Sequence, residues 1–363
     1  MREIPSAGTL NVLVVDDSAV MRQVMTTVLS REMGIHVDTA AHPLIAMGKM
    51  KQRRPDVIVL DIEMPHLDGL TFLQQIMADQ PIPVLVCSAL AKNGADTVLR
   101  ALEYGAVDVI QKPAVGIQDF LYEQAIMMVD KVRGAAEARP KRRAAIPSSE
   151  KRHSADVVLP TVSSRSLSVT TDKVVAIGTS TGGTEALRVL LMALPLDAPG
   201  FVVVQHMPEV FTANFAERLN QLCAVDVREA RDGDRVRPGL VLIAPGNRHT
   251  MINRNGAQYM VRVVDGPLVA RHRPSVDVLF RSVAQAAGAN AVGVIMTGMG
   301  DDGADGLLEM RKAGAATIAQ DEATSVVFGM PKVAIERGAV DEILPLQRIT
   351  QAILSRTGLS VRA

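Results

Sequence analysis

The chain has 363 residues, with 39 Lys and Arg balanced by 39 Asp and Glu, so no excess of basic charge argues for a nucleic-acid partner. Its two cysteines, Cys87 and Cys223, stand too far apart for a disulfide framework or a zinc spacing, no apolar run reaches membrane-spanning length, and the opening "MREIPSAGTL" lacks the apolar core of a signal peptide. A cytoplasmic chain of two domains, without membrane insertion, is the expectation.

From Leu10 to about Arg133, short Val/Ile/Leu runs alternate with segments of helical period: "NVLVVDD", "DVIVLDIEMP", "PVLVCSAL" and "VDVIQKP". Such alternation predicts an α/β unit over residues 1–133, a parallel sheet wrapped by helices. Asp16 and Asp17 follow "VLVV", Asp61 ends "DVIVL", Ser88 follows "PVLVC" and Lys112 follows "VDVIQ". In an open parallel sheet the carboxyl ends of neighbouring strands share one edge, where ligands bind. Carboxylates crowded there repel unless a cation joins them, and Mg²⁺ suits an oxygen-rich cluster that also takes a phosphate ligand. Ser88 and Lys112 would hold phosphoryl oxygens. The Lys112–Pro113 bond is expected to be cis or part of a tight turn that aims the lysine inward.

Taken together, the acidic pair, "LDIEMPHLDG", Ser88 and "KP" resemble the receiver domain of two-component response regulators. That resemblance implies a flavodoxin-like, doubly wound parallel sheet in which Asp61 accepts a phosphoryl group from a histidine kinase. It also implies that Asp16 and Asp17 hold Mg²⁺ with the help of the Glu63 backbone carbonyl. One position departs from the pattern. Val109 stands three residues before the lysine, where receivers often carry Tyr or Phe as a rotamer switch, so phosphoryl uptake is expected while the outward route of the signal is left open.

The stretch "GAAEARPKRRAAIPSSEKRHSADVVLPTVSSRSLSVTTD" loses apolar periodicity and gains Pro, Ser and Arg, which predicts a flexible linker over residues 134–172. Strands resume with "KVVAIG", "GFVVVQHMP", "GLVLIAPG", "QYMVRVV", "AVGVIMTG" and "AATIAQD". With helices between several of them, residues 173–363 read as a second α/β unit with a mainly parallel sheet. No repeat relates the two halves.

Within this second unit, Gly178-Thr179-Ser180-Thr181-Gly182 fits G-x-S-x-G, the nucleophile elbow, at a strand-to-helix turn. Gly178 and Gly183 also have the glycine spacing of a P-loop, but Thr184 stands where the lysine should follow, which removes the charge partner of a nucleoside triphosphate. A serine nucleophile needs a general base and a third group to orient that base. His206 follows "FVVVQ" and is placed first for the base, with His249 in "APGNRHT" second. His272, in "VARHRPSVD", is flanked by arginines that disfavour an imidazolium. For the orienting acid, "AVGVIMTGMGDDGADG" offers Asp301, Asp302 and Asp305. Spacing does not choose between Asp301 and Asp302, and a helix N-cap is an alternative role for any of them.

"GTSTGGTEAL", "VVVQHMP" and "MTGMGDDGADG", in this order, resemble the catalytic domain of the chemotaxis protein-glutamate methylesterases, the CheB family. The resemblance implies Ser180 as nucleophile, His206 as base and Asp302 as orienting acid, with Asp301 at the variable position. The order Ser–His–Asp differs from that of α/β-hydrolases, so the elbow likeness is convergent. The implied substrate is a methylated glutamate on a chemoreceptor, released as methanol and glutamate in sensory adaptation, with deamidation of receptor glutamines by similar chemistry. The backbone N–H groups of Thr181 and Met299 are the implied oxyanion donors, no cofactor is needed for the ester chemistry, and the receiver is expected to restrain its own enzyme. Two alternatives stand beside this reading: a second domain that only binds a ligand, and the same hydrolase serving a sensory array outside chemotaxis.

Overall fold

The computed structural model describes residues 9–64, 69–89, 95–112, 118–138 and 173–358. The N-terminal unit runs β1 (Leu10–Val15), α1 (Ala19–Leu29), β2 (Ile35–Ala40), α2 (Pro43–Gln52), β3 (Val57–Asp61), α3 (Gly69–Asp79), β4 (Val84–Ser88), α4 (Ala95–Glu103), β5 (Asp108–Gln111) and α5 (Gln118–Glu137). Its strands lie in the order β2-β1-β3-β4-β5, every pair parallel. This is the expected doubly wound order, with its switch point between β1 and β3. Strands β3 and β4 are buried along their whole length because helices cover both faces, which is why they read as unbroken apolar runs. Helix α5 passes the expected domain boundary at Arg133 and ends at Glu137. Pro113 and the bulk of the expected linker, residues 139–172, lie outside the described residues.

The C-terminal unit runs β6 (Val174–Thr179), α6 (Gly183–Met192), β7 (Gly200–Gln205), α7 (Glu209–Leu222), β8 (Asp226–Glu229), β9 (Arg235–Val236), β10 (Leu240–Ile243), β11 (His249–Asn255) and β12 (Gln258–Val264). It continues with α8 (Val276–Ala287), β13 (Ala291–Ile295), α9 (Ala304–Lys312), β14 (Ala316–Gln320), α10 (Met330–Glu336), β15 (Glu342–Leu344) and α11 (Leu346–Arg356). The main sheet has the order β15-β14-β13-β6-β7-β10-β8 and is parallel throughout. A separate antiparallel sheet, β11-β12-β9, takes up the "QYMVRVV" run. The direction in which strands are added reverses at β6: β7, β10 and β8 lie to one side, β13, β14 and β15 to the other. The central trio β13-β6-β7 therefore flanks the switch point, and its carboxyl ends open on one crevice. Gly178 pairs with Ile295 and Thr179 with Gln205, so the residues after these three strands emerge side by side.

The turn after β6 is tight for a steric reason. Gly182 sits at φ +78, the left-handed region that favours glycine, and begins α6. Gly183 packs so closely that a Cβ there would fall 2.1 Å from Thr179 Oγ1 and 2.2 Å from Gln205 Oε1. The two units meet at this same turn: the Gly182 N–H donates to the carbonyl of Val107, 3.2 Å away. Val327 belongs to the same buried cluster as Val107, Val132 and Ala135. Because both of its close neighbours are buried, Gly183→Ala should destabilise the C-terminal unit by about 1–3 kcal/mol, read as a lower denaturant midpoint with an unchanged slope.

Candidate active sites at two sheet edges

Asp302 follows β13, and its carboxylate is 1% exposed. Oδ2 lies 2.9 Å from His206 Nε2 and accepts the Val276 N–H at 2.7 Å. Oδ1 accepts from Ser275 Oγ at 2.7 Å and from the Asp277 N–H at 3.0 Å. The carboxylate thus sits on the N-terminus of α8, where the helix dipole favours negative charge. Burial by itself would raise the Asp302 pKa. The His206 hydrogen bond and charge, together with the Asp277 N–H, outweigh it and hold the acid below its ordinary value.

With Nε2 committed to Asp302, His206 keeps Nδ1 buried and without a hydrogen-bond partner. Ser180, 5% exposed at the end of β6, lines the same pocket as His206 and Asp302. Thr181 and Met299 line it too, and among the described residues neither backbone N–H donates to a protein acceptor. The expected trio is therefore brought together. The other candidates are placed elsewhere. Asp301 is half-exposed and pairs with Arg337 at 3.2 Å, as does Asp305 at 2.5 Å. His249 has both ring nitrogens engaged, Nε2 with the Pro267 carbonyl at 2.8 Å and Nδ1 with the Ser275 N–H at 3.2 Å. Helix α9 begins at Gly303 without a side-chain cap, so the N-cap alternative does not apply there.

Residue placement also gives His272, disfavoured as an imidazolium by its flanking arginines, a place in the site, and brings in groups of the N-terminal unit that sequence reasoning did not name. The His272 ring meets that of His206 edge to face, with centroids 3.8 Å apart and planes at 89°. Burial first, then the charges of His206, Lys131 and Arg271, push the His272 pKa well below its ordinary value against the pull of Asp302. It is neutral at physiological pH, and its flat edge restricts the His206 ring. From the N-terminal unit, Met127, Asp130 and Lys131 of α5 line the pocket. Lys131 Nζ lies 2.8 Å from Asp108 Oδ1 and 3.5 Å from the His206 carbonyl, while Asp108 Oδ2 accepts from Thr181 Oγ1 at 3.2 Å. The cavity left around Ser180 is about 40 Å³, on a measure by which one water needs roughly 10–15 Å³. That is room for a few waters.

At the other sheet edge, carboxylate oxygens of Asp16, Asp17 and Asp61 lie within 4.8 Å of one another. Lys112 Nζ sits 2.6 Å from Asp61 Oδ2 and 3.0 Å from Asp16 Oδ2. Burial pulls the Lys112 pKa down, but the hydrogen bonds to Asp61 and Asp16 outweigh this and raise it. Burial raises that of Asp16 despite Lys112. Glu63 donates its N–H to Asp61 Oδ1 at 3.0 Å, and its side chain accepts from Ser88 Oγ at 3.3 Å. Three hard oxygen donors beside a lysine fit a divalent cation that carries a phosphoryl ligand.

Residues 175–353 match the CheB methylesterase family and residues 12–121 the response regulator receiver domain. A protein-glutamate methylesterase/protein-glutamine glutaminase of Anaeromyxobacter dehalogenans is 60% identical over 351 residues, covering 96% of this chain and 97% of that protein. One from Pseudomonas syringae pv. tomato is 57% identical over 353 residues, covering 96% and 99%. The crystal structure of the Thermotoga maritima CheB methylesterase catalytic domain aligns with a TM-score of 0.50 at 38% identity, over 51% of this chain and 98% of that one. Among the described residues no helix is long and apolar enough to cross a membrane. The chain belongs to the CheB protein-glutamate methylesterase family and carries, ahead of the esterase domain, a response regulator receiver domain.

Proposed function

We propose that the chain hydrolyses glutamate methyl esters and glutamine side-chain amides of cytoplasmic chemoreceptor segments through Ser180, His206 and Asp302, under the control of Asp61 phosphorylation. The observation that carries the reading is the single carboxylate of Asp302 bridging His206 Nε2 and the N-terminus of α8, with His206 Nδ1 left unpaired beside Ser180. An ionised Asp302 keeps the imidazole proton on Nε2, so Nδ1 is the basic atom. Nδ1 takes the Ser180 Oγ proton as Oγ attacks the ester carbonyl. The N–H groups of Thr181 and Met299 receive the oxyanion, each such donor contributing about 10²–10³ in rate. The protonated imidazole then gives its proton to the leaving methoxide, or to the amine of a glutamine amide, releasing methanol or ammonia. Water, deprotonated by the same Nδ1, cleaves the acyl-serine and leaves the glutamate carboxylate.

At the receiver edge, Asp16, Asp17 and Asp61, with the Glu63 carbonyl, would hold Mg²⁺, which neutralises charge on the incoming phosphoryl group. A histidine kinase is the donor. Asp61 Oδ2 is the acceptor, and Lys112 and Ser88 exchange their present partners for phosphoryl oxygens. The modification adds about −1.5 to −2 charge at a lysine one residue beyond β5. The other end of that strand is Asp108, which holds Thr181 and Lys131 over the esterase pocket. A tenfold activation needs only about 1.4 kcal/mol of bias toward the undocked arrangement. Val109 lies against a cavity of about 240 Å³ at the domain interface, beside Met127, Met128 and Met207. Here β5 itself, in place of an aromatic rotamer switch, is the element that moves.

With radiomethylated receptor membranes, Ser180→Ala should abolish methanol release while Asp61 is still labelled by a small phosphodonor. Asp302→Asn should slow release by about 10⁴, whereas Asp301→Asn leaves it near wild type; the reverse order would refute the acid assignment. A small phosphodonor should raise ester hydrolysis by the intact chain. Asp61→Asn, or removal of Mg²⁺ with a chelator, should block both the labelling and the activation.

A further inference from the structure

At the mouth of the esterase pocket, Val269 and His272 exchange both backbone hydrogen bonds, at 3.0 and 2.9 Å. The two residues between them, Ala270 and Arg271, sit at φ +48 and +66. Successive left-handed residues make a type I′ turn, which Asn-Gly ordinarily supplies, and Ala and Arg hold that conformation only where the surroundings impose it. His272 is accounted for by its contact with His206. Arg271 has no carboxylate partner within the esterase domain among the described residues. Its Nη1 instead lies 3.2 and 3.4 Å from the two carboxylate oxygens of Asp130, on α5 of the receiver.

Neighbouring charges have partners of their own among the described residues. Asp301 pairs with Arg337, Asp302 with His206 and α8, and Lys131 with Asp108. Arg273 donates to Asn247 Oδ1 and the Gly266 carbonyl. Arg271 is thus a pocket cation whose counter-ion among the described residues, Asp130, belongs to the receiver and leaves with it. Asp130 is meanwhile held partly out of water, and burial raises its pKa in spite of Arg271.

We infer that Arg271 is a specificity-determining residue, holding a carboxylate of the substrate protein beside the scissile ester, and that Asp130 of the docked receiver occupies it in that carboxylate's place. This rests on the esterase reading above. A segment whose glutamates are esterified one at a time carries free carboxylates beside its remaining esters, and a guanidinium takes carboxylates in a fork of two hydrogen bonds.

Peptides carrying one glutamate methyl ester, flanked either by glutamates or by glutamines, test this. Binding is read by fluorescence anisotropy on the intact chain bearing Ser180→Ala, with a small phosphodonor present, so that no turnover is needed. The glutamate-flanked peptide should bind roughly tenfold more tightly. Arg271→Gln should erase that advantage and Arg271→Lys should keep part of it. Without phosphodonor, Asp130→Asn should strengthen binding of the glutamate-flanked peptide selectively. Equal affinities while Arg271 is intact, or a preference that survives Arg271→Gln, would overturn the inference. Hydrolysis of the same peptides by the chain with Ser180 is a separate readout. Its absence would refute the esterase reading, and a missing flank preference with hydrolysis intact would refute the role of Arg271 alone.

Discussion

A carboxylate taken out of water without partners costs several kcal/mol, and Asp302 is almost wholly buried. Its four contacts, to His206 Nε2, Ser275 Oγ and the N–H groups of Val276 and Asp277, meet that demand. They also tie together the loop after β13, the end of β7 and the start of α8. The carboxylate is therefore a joint of the fold before it is a participant in chemistry. A helix N-terminus favours its ionised form, and in the proposed mechanism it fixes the imidazole tautomer from the place it already occupies. His272 adds a steric wall that is itself uncharged.

The two strand-edge sites were legible because strands buried on both faces are unbroken apolar runs, and the residue after each run lies at the carboxyl edge. That logic places Asp61, Ser88 and Lys112 in one domain and Ser180 and His206 in the other. It does not rank Asp301 against Asp302, since both follow the same strand. Packing decides: one reaches α8 inside the domain, and the other reaches Arg337 at the surface. His249 also satisfies the edge criterion, yet spends both nitrogens on the Pro267 and Ser275 backbone, a use no spacing reveals. The boundary at Arg133 came from a change in composition at "GAAEAR", but Ala and Glu are strong helix formers and α5 continues through them. Contacts between the domains, such as Asp108 with Thr181, join residues far apart in sequence and leave no periodic trace.

Both domains put charge at the carboxyl edge of a parallel sheet, and they settle it by opposite means. On the reading proposed above, the receiver edge holds its carboxylates against a side-chain cation, Lys112, whose place a metal and a phosphoryl group take. The esterase edge gives its carboxylate two backbone N–H groups, a hydroxyl and an imidazole, an arrangement that the proposed reaction leaves in place. One site is built to change state and the other to hold it. Strand β5 runs between them, with Lys112 beyond one end and Asp108 at the other.

Helix α5 supplies Asp130 and Lys131 to the esterase pocket and ends at Glu137, and the same polypeptide re-enters the esterase sheet at β6. Closure of the receiver over the pocket, as proposed above, is consequently a ring-closing event within one molecule, governed by an effective local concentration and not by the amount of protein present. Dilution does not open it, and a higher copy number does not close it further. At a fixed degree of phosphorylation, the proposed balance between docked and undocked receiver is then independent of how much of the chain a cell makes.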